Sequence, residues 1–372
     1  MTAASLLAAA LWAAVPAGPL PDAPSWSGNA AAIPVDPLFG VLWRRQLVEA
    51  QLLEYKPIEP AGPGVDPVTR IVVVAARDGK VEAFNPDGTP IWFYQGQGPY
   101  VAAPGFADDL VLVGGTDGKL VALDRAKGTV RWKYAYREEM GSPPVTVGDL
   151  TYVATLQGTV LALETKTGAW RWHFRREPTG KFTILGVGTP AVVDGVLYQG
   201  LPDGSVVQLD AKTGAQKWER RVGRGEYPDI DASVQVGRGQ IYVASYGGQV
   251  AALEAATGKP VWEAKVPYAY KLRLDGDALY VVSTTAVTAL SARDGRERWT
   301  TPLEGTPFGE PVVVKGLVVV PNGRGLLVLD ARTGKRLRLF TRGSGATGSP
   351  AVLGKRVYVL SNAGELTAAE LR

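Results

Sequence analysis

Few residues in this chain could carry chemistry, and they are unevenly placed. There is one histidine, His173, directly after Trp172, and there is no cysteine. Without a second histidine or a thiol there is no His/Cys metal set, no thiolate nucleophile and no disulfide, so His173 reads as an outer-strand residue rather than a ligand or half of a dyad. The run Gly343-Ser-Gly-Ala-Thr-Gly-Ser349 has the composition of a phosphate loop, but no lysine–serine pair or helix follows it, so it reads as a loop leading into a strand. Two features remain. Seven of the ten tryptophans recur at a regular phase and could stack a planar cofactor, and Glu226-Tyr-Pro-Asp-Ile-Asp-Ala-Ser233 concentrates carboxylates in a short connection.

The elements that position both are repeats. In Val111 to Trp132 a run rich in β-branched residues meets the turn dipeptide Asp117-Gly118, alternation resumes through Leu123, and a second turn ending in Gly128 leads to a strand bearing Trp132. The same phase recurs as Gly88 and Trp92, Gly168 and Trp172, Gly214 and Trp218, Gly258 and Trp262, and Gly295 and Trp299, each tryptophan four residues after its glycine. A seventh unit keeps Thr333-Gly334 but has Arg338 where tryptophan is expected. An eighth, from Arg356, ends before its tryptophan strand. That missing strand is Phe39 to Leu47, which carries Trp43 and has no repeat of its own before it. A unit with one apolar face must stack on its neighbours, and a ring has no exposed edge blade. The expectation is therefore an all-β, eight-bladed β-propeller of four-stranded antiparallel blades over residues 39–372, closed by an N-terminal strand that completes the last blade. Proline-bearing segments such as Gly141-Ser-Pro-Pro144 and Gly188-Thr-Pro190 mark the inner strands lining the channel. The strict phase of Trp43, Trp92, Trp132, Trp172, Trp218, Trp262 and Trp299 favours docking between blades, worth about 2–3 kcal/mol each, over a cofactor platform.

Ahead of the propeller, residues 3–15 form an apolar run too short to span a bilayer. It suits a signal peptide over residues 1–17, although Met1-Thr2 brings no basic residue, and residues 18–38 read as an extended segment. No later segment suits a membrane span. A net charge of +4, from 40 basic and 36 acidic residues without a basic tract, gives no case for nucleic acid.

The repeat spacing is informative where it breaks. Successive tryptophans from Trp92 to Trp299 lie 40, 40, 46, 44 and 37 residues apart, so the extra length falls in two neighbouring connections, Arg175 to Gly188 and Arg220 to Asp231. By propeller geometry both lie on the face of the turns between second and third strands. One carries Phe182, Ile184 and Leu185 and the other Arg224, Asp229 and Asp231, a mixture of apolar and charged groups that suits a protein interface. The bland alternative tucks the apolar residues into the core and uses the aspartates to cap turns.

The unit built from Asp-Gly, Ala-Leu-Asp, Thr-Gly and tryptophan resembles the pyrroloquinoline quinone (PQQ)-like repeat. From about Trp26 onward the chain resembles the BamB-like propellers of the outer-membrane β-barrel assembly machinery. Glu226 to Ser233 is similar to that family's acidic segment, and Phe182-Thr-Ile-Leu-Gly-Val-Gly-Thr-Pro190 falls where the family has a Leu-x-Leu-Arg-Gly segment. The resemblance implies that both contact BamA, the barrel-forming subunit, with Asp229 and Asp231 as acidic contacts and Phe182 and Ile184 as apolar ones. Leu185 stands in place of the family's arginine, and the family's lipidated cysteine is absent. It thus implies a non-enzymatic periplasmic scaffold without cofactor or metal, held at the outer membrane through BamA, with unfolded outer-membrane proteins as a second class of partner. A second reading is a PQQ-dependent quinoprotein dehydrogenase. It would need calcium and convergent oxygen ligands in the channel, which no clustered carboxylates supply. A third is an adaptor for another envelope complex.

Overall fold

The computed structural model describes residues 38–48, 58–176, 186–305, 309–341 and 345–372. The expected signal peptide and nearly all of the 18–38 segment lie outside them, as do Phe182, Ile184 and Leu185.

Short β-branched strands separated by glycine turns give eight four-stranded sheets, each antiparallel and each built from strands in sequence order except one. The exception joins Ala351–Leu353, Arg356–Leu360 and Glu365–Leu371 to the N-terminal strand Phe39–Gln46. Phe39 pairs with Leu371 and Gln46 with Glu365, with a bulge between Val41 and Trp43. The expected closure of the ring is therefore observed. The inner strands are only three residues long in most blades, among them Val145–Val147, Ala191–Val193, Val312–Val314 and Ala351–Leu353.

The tryptophans dock between blades, and the geometry of the contact explains why their phase is strict. Opposite each indole on the neighbouring strand stands a small residue, as in Ala83 with Trp92, Ala122 with Trp132 and Ala252 with Trp262, and a bulge follows at that point. The ring reaches across to the turn glycine of the next blade. A Cβ on Gly128 would lie 2.5 Å from Trp92, on Gly168 2.5 Å from Trp132, and on Gly88 2.6 Å from Trp43. Each indole N–H donates to a backbone carbonyl of the same turn, Trp43 to Pro86 at 2.9 Å, Trp92 to Arg125 at 2.8 Å and Trp299 to Ala331 at 3.1 Å. Trp218 departs slightly: Gln208 stands opposite it in place of alanine, and the ring is less buried than the others.

This geometry explains Arg338. Blade 8 has no turn between its third and fourth strands, because these strands, Glu365–Leu371 and Phe39–Gln46, are not consecutive in the sequence. No turn glycine is there to receive an indole from blade 7. The seam is filled instead by Phe39 and Phe340, whose rings are 5.5 Å apart.

Gly128 (φ +68°) and Gly148 (φ +60°) both occupy left-handed backbone, but nothing lies within 4 Å of a Cβ added to Gly148. Gly148→Ala should therefore cost only the conformational penalty, about 1–2 kcal/mol. Gly128→Ala should add overpacking against Trp92 for a total of about 3 kcal/mol or more, read as the difference in urea unfolding free energies.

Candidate functional site

The two long connections leave the outer strands Trp170–Phe174 and Gln216–Arg221. At the root of the first, the Arg176 guanidinium bonds both Asp203 and Glu219 of the next blade, and Arg175 lies 3.4 Å from Glu138. The second lies across two neighbouring turns. Ile230 N–H donates to Leu201 O at 3.2 Å and Tyr246 N–H to Asp229 O at 2.9 Å, so the connection rests on the face of the second-to-third-strand turns, as expected. Glycine permits the close approach: a Cβ on Gly223 would meet Pro228 O at 1.9 Å and one on Gly247 would meet Arg224 O at 2.3 Å.

The connections converge. Where the first returns, Thr189 N–H donates to Ser233 Oγ at 2.9 Å, and a Cβ on Gly186 would lie 2.9 Å from the Asp231 carboxyl carbon. Thus the described end of the first connection, from Gly186 to Thr189, meets the second at Asp231 and Ser233.

Within it the named residues differ in accessibility. Arg224 is exposed, 3.4 Å from Glu263, and its backbone N–H is held by Gln249. Residues 224–227 form an exposed lip and residues 228–234 are buried. The cause is Ile230, which packs with Tyr198, Val206 and Val234 and draws its neighbours down with it. Asp229 is 0% exposed and Asp231 7%. Burial pushes the Asp231 carboxyl up to about 7, against the pull of Lys271 and with a further push from Asp229. Lys271 Nζ itself reaches the backbone carbonyl of Asp231 at 3.3 Å.

Beside the lip runs a row of tyrosines that sequence reasoning did not single out. Tyr227 and Tyr246 meet edge-on at 6.4 Å, and Tyr246 and Tyr268 lie 5.7 Å apart. Tyr268 is 53% exposed at φ +58°, an unusual conformation for a non-glycine residue. The available signal was Pro267-Tyr-Ala-Tyr-Lys271, which replaces the Gly-x-Pro pattern preceding other inner strands.

The region adjoins the central channel, a cavity of about 320 Å³ lined by residues from all eight blades. Its charged lining groups are Lys271 and Glu310. Glu310 stands where other blades have Ser142, Thr189 or Ser349 between glycine and proline, a substitution visible in the sequence but passed over there. It accepts a bond from Ser233 Oγ, and its N–H donates to Ser349 Oγ at 2.8 Å. Among the described residues no group of three or more His, Cys, Asp or Glu side chains is arranged to hold a metal ion, and no helix is long and apolar enough to cross a membrane.

A closed ring of tryptophan-docked repeats with an elaborated face defines a β-propeller of the PQQ-like repeat class. The chain belongs to the family described as outer membrane protein assembly factor BamB, matching it over residues 77–301 and 247–372. Among solved structures, BamB from Moraxella catarrhalis superposes with a TM-score of 0.79 at 23% identity, covering 90% of this chain and 100% of that one. The quinohemoprotein alcohol dehydrogenase ADHIIG from Pseudomonas putida HK5 gives 0.71 at 15% identity, with 90% of this chain and 76% of that one covered. The computationally designed Ika8 protein gives 0.68 at 16%, covering 86% and 98%. At these identities the likeness speaks for the fold alone. No curated protein matches the sequence.

The folded chain keeps the Asp231 proton up to about pH 7, whereas the unfolded chain releases it near the ordinary value of 3.8. The stability tied to that proton is fully present below about pH 4 and is lost as pH rises through about 7. Asp231→Asn, which cannot ionise, should gain stability relative to the wild-type chain across this window in urea unfolding series. Parallel pH slopes for the two proteins would overturn the assignment.

Proposed function

We propose that this chain is a non-enzymatic periplasmic scaffold of the outer-membrane β-barrel assembly machinery, and that it binds a BamA-like barrel-forming subunit through the two joined connections. Membership of the BamB family over most of the chain carries the reading. The local geometry supports the location: the exposed lip at residues 224–227 and the tyrosine row offer a charged and aromatic surface of the kind that anchors protein interfaces. In this proposal Arg224 and Tyr227 meet the partner, and Phe182, Ile184 and Leu185 supply apolar contact from the first connection. Asp229 and Asp231 hold the second connection in shape from beneath, since both are buried in the isolated chain. Unfolded outer-membrane proteins are a second class of partner.

A quinone-dependent dehydrogenase shares the overall shape, as the alcohol dehydrogenase neighbour illustrates. The channel wall does not fit a calcium–quinone pair. Calcium takes six to eight oxygen ligands, whereas among the described residues the charged groups lining this channel are one carboxylate, Glu310, and one ammonium, Lys271.

The test is affinity purification of the chain from the native envelope, followed by binding measurements on the soluble periplasmic region of BamA. Co-purification of BamA is expected. Arg224→Glu combined with Tyr227→Ala, both at exposed positions, should weaken binding at least about tenfold without unfolding the propeller. Absence of any barrel-assembly subunit among the co-purifying proteins would sink the function, and undiminished binding by the double variant would sink the site.

A further inference from the structure

At the seam where blade 8 meets blade 1, on the face carrying the turns between first and second strands, lies a second cavity of about 390 Å³, walled by Arg70, Lys355, Arg356, Glu370 and Tyr358 among others. It lies beside a break in a hydrogen-bonding pattern seen in three blades. In three blades one turn carbonyl accepts two bonds from the preceding blade, one from an indole and one from a tyrosine of the second strand. Ala211 O takes Trp172 and Tyr152, each at 3.0 Å. Ala255 O takes Trp218 and Tyr198, with Gln208 Nε2 as a further donor, and Ala331 O takes Trp299 and Tyr280.

At the seam the corresponding carbonyl is Pro86 O and the corresponding pair is Trp43 and Tyr358, whose rings lie 6.1 Å apart as in the other blades. Trp43 makes its bond, but the second position is taken by Arg356 at 3.1 Å. Tyr358, 0% exposed, is left with a buried hydroxyl that has no hydrogen-bond partner among the described residues. A buried hydroxyl without a partner is costly, and such groups commonly mark a missing ligand or water.

The charge around this hydroxyl is also inverted relative to blades 2 and 6. The first turn of blade 2 carries Asp109, which pairs with Arg131, and that of blade 6 carries Asp277, which pairs with Arg238, Arg293 and Arg298. The equivalent residue in blade 8 is Lys355. Neither Lys355 nor Arg70 across the cavity has an ion-pair partner among the described residues. Lys315 on the adjoining turn is held below the usual ammonium range by desolvation and then by the like charge of Lys355. Among the described residues three cations and one carboxylate therefore line the cavity, an excess of two positive charges.

We infer that this seam cavity is a phosphate-binding site, in which Arg70, Lys355 and Arg356 neutralise a phosphate dianion and the Tyr358 hydroxyl donates to one of its oxygens. The excess charge matches a dianion better than a lone carboxylate, and two guanidinium groups suit multidentate phosphate contacts. A lipid headgroup and a free phosphate or phosphate ester share this chemistry.

The experiment titrates the full chain with inorganic phosphate by calorimetry and by ³¹P NMR. A parallel arm sediments it with phosphatidylcholine vesicles, with or without phosphatidic acid. Saturable phosphate binding is expected, weakened at least about tenfold by Lys355→Glu, which sits on an exposed turn, and about tenfold by Tyr358→Phe. Sedimentation with phosphatidic acid vesicles that free phosphate competes away would identify a lipid headgroup as the source. Phosphate binding without sedimentation would identify a soluble phosphate. Because the Tyr358 hydroxyl is unpartnered, Tyr358→Phe should leave the unfolding midpoint unchanged or raised, whereas Tyr280→Phe should lower it. That contrast separates lost binding from lost folding. No saturable binding by the wild-type chain, or equal affinity in Lys355→Glu, overturns the proposal.

Discussion

The fold depends on one contact repeated around the ring: an indole laid on the turn glycine of the next blade, with its N–H bonded to a carbonyl of that turn. Each component requires the others. The glycine must lack a Cβ because the ring approaches to about 2.5 Å of where one would be. The residue opposite the indole must be small, and the bulge beside it sets the ring's direction. Because the contact joins neighbours rather than strands of one sheet, it holds the blades in angular register. The hydrophobic clusters correspondingly straddle blade boundaries, as where Trp132 packs with Val153, Leu161 and Leu163.

Much of this architecture is legible in the sequence because the contact has a fixed spacing. Glycine and tryptophan four residues apart mark the unit, and the orphan Trp43 beside an incomplete last unit marks the closure. The loss of tryptophan at Arg338 is equally visible in the sequence, but its reason is spatial: the partner turn in blade 8 does not exist. The site is less legible. Chain length shows that the connections around Gly186 and Asp229 are extended, and their adjacency follows from blade order. Whether a carboxylate in such a connection points outward depends on its neighbours. Asp229 and Asp231 flank Ile230, and the burial of that side chain takes both inside. Lys271 and Glu310 share the channel wall although they come from different blades, a proximity that no local pattern encodes.

The two cavities differ in origin. The channel is common to the architecture, and its character comes from which residue each inner strand contributes. At the seam cavity Arg356 takes the position on the turn carbonyl that a tyrosine takes in three other blades. Irregularity at a boundary leaves polar groups that the repeat would otherwise have satisfied.

Closure by Phe39–Gln46 on Glu365–Leu371 also constrains the order of assembly. Phe39–Gln46 is made long before its hydrogen-bonding partner Glu365–Leu371, so blade 8 cannot form until blades 1 to 7 have been made. Blades 1 to 7 can each pair locally, strand on strand, as they emerge. The pairing that closes the ring joins residues far apart in sequence, where the search cost of long-range contacts is greatest. Until then the chain is an open arc with unpaired strand edges, and so remains dependent on whatever keeps it from associating through them.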